Sequence, residues 1–190
     1  MTREIVLVRH ASTAWTGIRY CGRHDPWLDR AGRAAANHLA QGLAPTLAAD
    51  VRIVASPLRR ARQTALAIRA ALVAAHGRPG RPWIEIDPRW IETNFGRVEG
   101  CTFDELDARF PDLARGLLAG DSAIDWPAGE TAAALAQRVG AAWQALLRDP
   151  RPVVVVSHGW HLRLVAQLAG DGPLAGDAVL PPTGVLRVRA

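Results

Sequence analysis

The chain has 190 residues, of which 49% are apolar and 22% are charged, so global disorder is excluded and we expect one folded domain over residues 1–190. All 23 basic residues are arginines, which excludes a Walker lysine, a Schiff-base lysine and a pyridoxal site. The formal net charge is +5, but the arginines are scattered among acidic residues, and we expect no nucleic-acid partner.

The first predicted element is a strand over Ile5–Val8 that ends at the polar pair Arg9 and His10. Four apolar residues without polar alternation are typical of a strand covered on both faces, as in a parallel sheet. Ligands of open α/β sheets bind just beyond the carboxyl ends of such strands. The arginine and the histidine therefore lie where chemistry is usually carried out.

A loop and a helix follow this strand. Gly22 and Pro26 punctuate Arg19–Leu28, which we predict to be a surface loop. Asp29 is a helix N-terminal signal, and it predicts a helix over Ala31–Leu43 that ends before Pro45.

The next unit is a second strand and helix. We predict a strand over Val51–Ala55 and a helix that Ser56 opens as N-cap, with Pro57 at its first position. Gly77–Pro82 breaks this helix, and Trp83–Ile86 forms a third short strand.

The middle of the chain is less regular. Asp87–Gly100 is predicted to be irregular and contains Glu92, and the capping-box spacing of Thr102 and Glu105 starts a short helix through Phe110. A loop through Gly120–Gly129 then precedes a helix from about Thr131 to Leu147. One apolar stripe marks the buried face of that helix: Leu135, Val139, Ala142, Trp143 and Leu146.

The C-terminal part repeats the opening pattern. A strand over Val153–Val156 runs into Ser157, His158 and Gly159, and a helix over Trp160–Ala169 follows. Gly184–Val188 alternates like an edge strand. Strands that alternate with helices predict an α/β fold: a three-layer α/β/α sandwich with a largely parallel central sheet.

Two predicted strands thus end in a histidine. A single histidine at a strand end is more often a cap of the sheet edge than a functional group. Two with the same local pattern, His10 and His158, together with arginines, favour a shared site.

The residue types point to phosphorus chemistry. A neutral imidazole is a nucleophile, and its reference pKa of about 6.5 leaves His10 mostly neutral near pH 7. Arginine forks match phosphate oxygens, so Arg9 and Arg60, the latter near a helix N-terminus, would form a phosphoryl pocket.

No aspartate cluster has the spacing of a magnesium site, and we expect no metal and no cofactor. His158 and His161 could share a metal ion on a helix, but no third ligand is apparent. Glu92, in a glycine-flanked loop, is the carboxyl group best placed to protonate a leaving group.

The sequence also bears on location and oligomeric state. The opening residues lack the hydrophobic segment of a signal peptide, and no stretch approaches a membrane span of about 20 apolar residues. We therefore expect a cytoplasmic protein without a membrane partner, in which Cys21 and Cys101 stay reduced. The oligomeric state is left open, with a homodimer as one alternative.

Four ordered motifs resemble those of the histidine phosphatase superfamily, also called phosphoglycerate mutase-like. Val8–Thr13 looks like its opening Arg-His-Gly motif, and Ser56–Ala65 resembles its second motif, in which the arginine before alanine is functional. Glu92–Gly100 resembles its acid-bearing loop, and Ser157–Gly159 its final histidine motif. Two weaker matches are a substrate-side loop with Gly22, Asp25 and Leu28, and the segment Pro127–Thr131, which is similar to Pro-Gly-Gly-Glu-Ser.

This resemblance covers nearly the whole chain and implies roles for particular residues. His10 would become phosphorylated, Glu92 would donate the proton, and Arg9, Arg60 and His158 would hold the phosphoryl group. The residues assigned to substrate binding are Thr13, Thr16, Gly22 and Gly159.

The chain also departs from the family pattern. Ala11 replaces the usual glycine, Thr16 stands where many members have asparagine, and Trp160 replaces a second glycine after the last histidine. None of these changes removes a catalytic group, and Trp160 is placed to narrow or line the pocket.

The resemblance implies a metal-independent hydrolase of small phosphomonoesters that acts through phosphohistidine, similar to α-ribazole phosphatase and the broad-specificity phosphatases. One alternative is mutase-type transfer, which usually needs extra enclosing segments for which Gly120–Gly129 leaves little room. A second is a phosphate-binding or interaction module without turnover. The joint presence of a nucleophile and a proton donor, His10 and Glu92, argues against that module.

Overall fold

The computed structural model describes residues 4–77, 83–121, 123–169 and 179–189. The strands are β1 Glu4–Arg9, β2 Arg52–Ala55, β3 Ile84–Ile86, β4 Val153–Ser157 and β5 Val185–Arg189. The α-helices are α1 Arg30–Leu43, α2 Arg59–His76, α3 Phe103–Arg109, α4 Pro111–Leu118, α5 Ala132–Arg148 and α6 Gly159–Ala169. Short 3₁₀ helices cover Ala44–Thr46, Pro88–Trp90 and Gly96–Val98.

The strands form one sheet in the order β3-β2-β4-β1-β5. The first four strands in this order are parallel, and β5 runs antiparallel to β1 at the edge. In the central pair Ile5 is opposite Val153 and Arg9 is opposite Ser157. The residues that follow β1 and β4 therefore emerge side by side at one edge of the sheet.

Helices cover both faces of the sheet, which confirms the predicted three-layer α/β/α architecture. Ile5 and Leu7 of β1 belong to the core shared with α5 and α6, whereas Val6 and Val8 belong to the core shared with α1 and α2. Side chains alternate between the two faces of a strand, so an unbroken apolar run is buried on both sides. All five predicted stripe residues of α5 are buried, as expected.

A third apolar cluster lies outside the sheet. It joins Phe95 and Trp126 to buried residues of α3 and α4, with Tyr20 and Trp160 packed against it. The capping box of Thr102 and Glu105 begins α3, as predicted. Helix α4, which has a proline at its N-terminus, was not predicted from the sequence.

The predicted start of the second helix is wrong. The helix begins at Arg59, with Leu58 as an extended N-cap residue, and the Arg59 amide donates to Asp25 Oδ1 over 2.6 Å. The Ser56 hydroxyl accepts from the Leu58 amide but is also 2.7 Å from the ring of His158. A contact between distant parts of the chain has therefore overridden a local capping signal. The helix ends at His76, and the rest of the predicted break, residues 78–82, lies outside the described residues.

Candidate active site

The carboxyl ends of the parallel strands bring the predicted histidines together. His10 follows β1 and His158 follows β4, and their ring centroids lie 5.0 Å apart. Both rings are buried, with 5% of His10 and none of His158 exposed. The two strand ends therefore bring the two histidine rings into contact.

The hydrogen bonds of His10 define its protonation state. Its Nδ1 donates to the carbonyl of Ala11 over 2.7 Å, and its Nε2 accepts from Arg60 Nε over 3.1 Å. A ring nitrogen that accepts carries no proton, so Nε2 presents a lone pair. Burial, followed by the positive charge of Arg60, lowers the pKa of His10 well below its ordinary value of 6.5. His10 is thus a neutral imidazole at neutral pH, the form in which a histidine can act as a nucleophile.

Arg60 is a buried guanidinium held by the neighbouring loop. Its Nη1 donates to the His24 carbonyl over 2.6 Å and its Nη2 to the Gly22 carbonyl over 2.8 Å. Gly22 has a left-handed φ of 51° and packs against the carboxylate of Glu99, which accepts from the Arg23 amide over 2.9 Å. Glu99 therefore holds the loop whose carbonyl groups hold the Arg60 side chain in place.

Arg9 lies beside the start of α6. Its Nη1 donates to the Leu180 carbonyl, whereas its buried Nε has no hydrogen-bond partner within the described part of the chain. A Cβ at Gly159 would stand 3.3 Å from Arg9 Cζ, so the absence of a side chain there lets the guanidinium reach the pocket. A buried unpartnered N–H is costly and is suited to an anionic ligand.

His158 lies deeper, against His10. Its Nε2 is 2.7 Å from Ser56 Oγ, and its Nδ1 has no partner among the residues that the structure describes. Burial lowers the pKa of His158 well below 6.5, and the charge of Arg60 adds to this effect. The ring is therefore neutral and has one nitrogen still unpaired.

Glu92 is a buried carboxyl group on the same pocket. Only 6% of the residue is exposed, and its Oε1 accepts from the Thr93 amide over 2.9 Å. Burial raises the pKa of Glu92 above 4.5, and the Thr93 hydrogen bond and the nearby arginines only partly oppose this. A carboxyl group that holds its proton at higher pH is suited to general acid catalysis.

Four of these groups line a pocket of about 150 Å³, and His158 is not among the residues that line it. Among the residues that line it are Arg9, His10, Arg60 and Glu92 and all four residues predicted to bind substrate, Thr13, Thr16, Gly22 and Gly159. Thr16 Oγ1 accepts from the Thr13 amide over 2.9 Å and so closes the turn. Tyr20, Phe95 and Trp160 also line the pocket, which places Trp160 on its wall.

Other predicted residues lie elsewhere. Asp25 caps α2 through the Arg59 amide, and Leu28 packs with Ala11. His161 donates from Nε2 to the Arg89 carbonyl, and no group of three or more histidine, cysteine or acidic side chains in the described ranges could hold a metal ion.

Sequence analysis missed Arg138 and the role of Ser56. Arg138 makes four hydrogen bonds around the Glu92 loop, to Glu130, Arg89 and Ile91. Glu130 lies in the quoted Pro127–Thr131 segment, which was the available signal, but nothing in the periodicity of α5 distinguishes Arg138.

No helix in the described ranges is long and apolar enough to cross a membrane.

A family model matches nearly the whole chain. The family model described as "Histidine phosphatase superfamily (branch 1)" matches residues 5–188. A bifunctional protein of Mycobacterium tuberculosis is 34% identical over 186 residues, covering 93% of this chain but only 46% of that protein, so the chain spans about half its length.

Two further comparisons concern phosphatases. A glucosyl-3-phosphoglycerate phosphatase of Mycolicibacterium vanbaalenii is 35% identical over 168 residues, which cover 83% of this chain and 69% of that protein. The solved structure of a mycobacterial glucosyl-3-phosphoglycerate phosphatase with VO3 has a TM-score of 0.80 and 26% identity, covering 97% of this chain and 90% of that one.

Proposed function

Because the chain belongs to the histidine phosphatase superfamily (branch 1), we propose that it is a phosphomonoester hydrolase that works through phosphohistidine and without a metal ion. Its substrate is a small phosphorylated metabolite, and residues 1–190 form one catalytic domain. The observation that carries this proposal is the meeting, in one pocket, of a neutral His10 and a Glu92 whose pKa is raised.

In the first half of the reaction, His10 Nε2 attacks phosphorus and forms an N–P bond while the bond to the ester oxygen breaks. Glu92 gives its proton to that oxygen, which leaves as an alcohol. Arg9, Arg60 and His158 hold the non-bridging oxygens, and the two guanidinium groups take the charge-neutralising part that Mg²⁺ plays in many phosphoryl transfers.

In the second half, water attacks the phosphohistidine. The Glu92 carboxylate takes a proton from the water, the N–P bond breaks, and inorganic phosphate leaves with His10 restored to its neutral form. Thr13, Thr16, Gly22 and Gly159 line the pocket and bind the substrate. The pocket of about 150 Å³ is below the size usual for drug-sized ligands, which supports a small substrate.

The test is hydrolysis of p-nitrophenyl phosphate in excess chelator by the parent and by His10→Ala. We expect turnover by the parent and a loss of more than about 10³-fold in the variant, since covalent catalysis needs the nucleophile. Quenching with alkaline detergent during turnover of ³²P-labelled substrate should trap an acid-labile, base-stable label on the parent alone.

Three results would contradict the proposal. Parent turnover that the chelator abolishes would overturn metal independence. Transfer of the label to a second site on phosphoglycerate, with no release of phosphate, would favour mutase chemistry. Phosphate binding without turnover of any phosphomonoester would favour the binding module.

A further inference from the structure

The segment that carries Glu92 is held by side chains from three other parts of the fold. The carbonyl of Trp90 accepts from Ser157 Oγ on β4 over 2.9 Å, and that of Arg89 accepts from His161 Nε2 on α6 over 2.9 Å. The carbonyl of Glu92 itself accepts from Arg23 Nε over 3.3 Å. Side-chain donors, and not the backbone hydrogen bonds of a sheet, therefore hold this irregular segment in place.

A fourth donor is Arg138 on α5, which makes four hydrogen bonds. Its Nη1 lies 2.8 Å from the carbonyl oxygens of both Arg89 and Ile91. Its Nε and Nη2 form a bidentate pair with the Glu130 carboxylate, with both distances 2.8 Å. A planar fork makes such paired bonds, and a lysine could not reproduce them.

Glu130 extends these hydrogen bonds to the backbone that follows Glu92. The Asn94 amide donates to Glu130 Oε2 over 3.3 Å, and the Glu130 amide donates to the Asn94 carbonyl over 2.8 Å. The Arg138–Glu130 pair thus holds backbone groups both before and after Glu92. Its side chains are 17% and 9% exposed, so water competes little for these bonds.

We infer that Arg138 is a positioning residue for the acid Glu92: it fixes the backbone on both sides of the carboxyl group without touching the substrate. This inference rests on the proposed function, in which Glu92 protonates the leaving oxygen. A catalytic group loses much of its effect when it is displaced by a small distance. A less firmly held Glu92 segment should therefore slow protonation of the leaving oxygen more than it slows attack by His10.

The test compares kcat/KM for two substrates of similar shape, p-nitrophenyl phosphate and phenyl phosphate. Nitrophenolate leaves without a proton, whereas phenolate is a poorer leaving group and needs the acid. The ratio of the two kcat/KM values does not depend on how much enzyme is folded, so a variant that folds poorly still reports on positioning.

We expect Glu92→Gln to raise the nitrophenyl-to-phenyl ratio by about 10² or more, the lower end of the usual contribution of a general acid. Arg138→Gln should raise the ratio about tenfold, and Arg138→Lys should raise it less. Arg148→Gln, on the exposed last turn of the same helix, is the matched control and should leave the ratio unchanged.

If Arg138→Gln keeps the nitrophenyl-to-phenyl ratio of the parent while Glu92→Gln raises it, Arg138 does not position Glu92, and the proposed function stands. A parental ratio in Glu92→Gln would overturn both the positioning role and the acid role of Glu92.

Discussion

Arg60 Nε lies 3.1 Å from His10 Nε2, so a positively charged donor is bound to the nitrogen that we propose attacks phosphorus, and this hydrogen bond breaks before the lone pair can attack. This bond orients the ring and, with burial, keeps it neutral. Guanidinium has five N–H groups, and Arg60 uses three of them on His10, His24 and Gly22. Two remain, one on each terminal nitrogen, which suits bidentate contact with a phosphoryl group.

The opposite pKa shifts of His10 and Glu92 predict an activity maximum between the lowered pKa of His10 and the raised pKa of Glu92. His10 must be neutral, and burial lowers its pKa well below 6.5, so acid inhibits only well below that pH. Glu92 must be protonated, and burial raises its pKa above 4.5, so kcat/KM for phenyl phosphate should fall as the pH rises through that raised value. The measurement is a pH profile of kcat/KM.

Glu92→Gln is the control for this profile. Ionisation of the substrate is the same for both proteins, so a fall that belongs to Glu92 should disappear in the variant, at a lower overall rate. An unchanged alkaline limb in Glu92→Gln would assign that limb to another group.

Local patterns determined much of the fold. The apolar runs of β1 and β4 and the stripe of α5 were predicted because periodicity over a few residues reports which faces are buried. The convergence of His10 and His158 followed from one topological rule, that parallel strands present their carboxyl ends at a common edge.

What the sequence did not reveal depends on contacts between distant residues. Ser56 has a local capping signal, yet its hydroxyl lies against a histidine 102 positions away. Arg138 lies on a predicted helix, but its partners Arg89 and Ile91 are 49 and 47 positions away. The raised pKa of Glu92 comes from burial, which depends on how distant parts of the chain pack around it.

Ser56 is predicted to set the proton position of His158. Its oxygen accepts from the Leu58 amide and lies 2.7 Å from His158 Nε2; we expect its own proton to go to that nitrogen and leave the histidine proton on Nδ1, where it can meet a phosphoryl oxygen. Ser56→Ala should mix the two tautomers and lower kcat/KM about tenfold. ¹⁵N NMR of labelled imidazoles reads the tautomer directly.

Ser12→Ala is a matched control, because the Ser12 hydroxyl donates to Asp29 and not to a histidine. It should leave the His158 signals in place. If Ser56→Ala keeps both the parental tautomer and the parental rate, the serine has only a packing role.

Gly22→Ala and Gly77→Ala together distinguish the effect of backbone strain on stability from the effect of a disturbed site on activity. Both have left-handed φ values, 51° and 57°, so alanine should cost each about 1–2 kcal/mol of stability. A Cβ at Gly22 would also collide with Glu99, whereas a Cβ at Gly77 would meet nothing within 4 Å. Because the Gly22 carbonyl holds Arg60, only Gly22→Ala should also lower kcat/KM, by about tenfold or more.

Denaturant unfolding and p-nitrophenyl phosphate kinetics on the same preparations measure the two effects. Equal activity in Gly22→Ala and Gly77→Ala, at equal loss of stability, would show that Glu99 moves aside and that the loop does not hold Arg60 in place.

Ala128 is a non-glycine residue in a left-handed conformation, with φ of 54°. The turn that contains it packs closely on the Glu92 loop: a Cβ at Gly96 would collide with the backbone of residues 127–129. Its conformation is therefore imposed by tertiary contact, at a cost to alanine of about 1–2 kcal/mol that glycine avoids.

Ala128→Gly should raise the free energy of unfolding by about 1 kcal/mol in denaturant titration. This net value is the strain that glycine relieves minus the stability that glycine loses because it is more flexible in the unfolded chain. Ala136→Gly, on the exposed face of α5, should instead lower it by about 1 kcal/mol. If both variants lose stability equally, the left-handed turn stores no strain at this position.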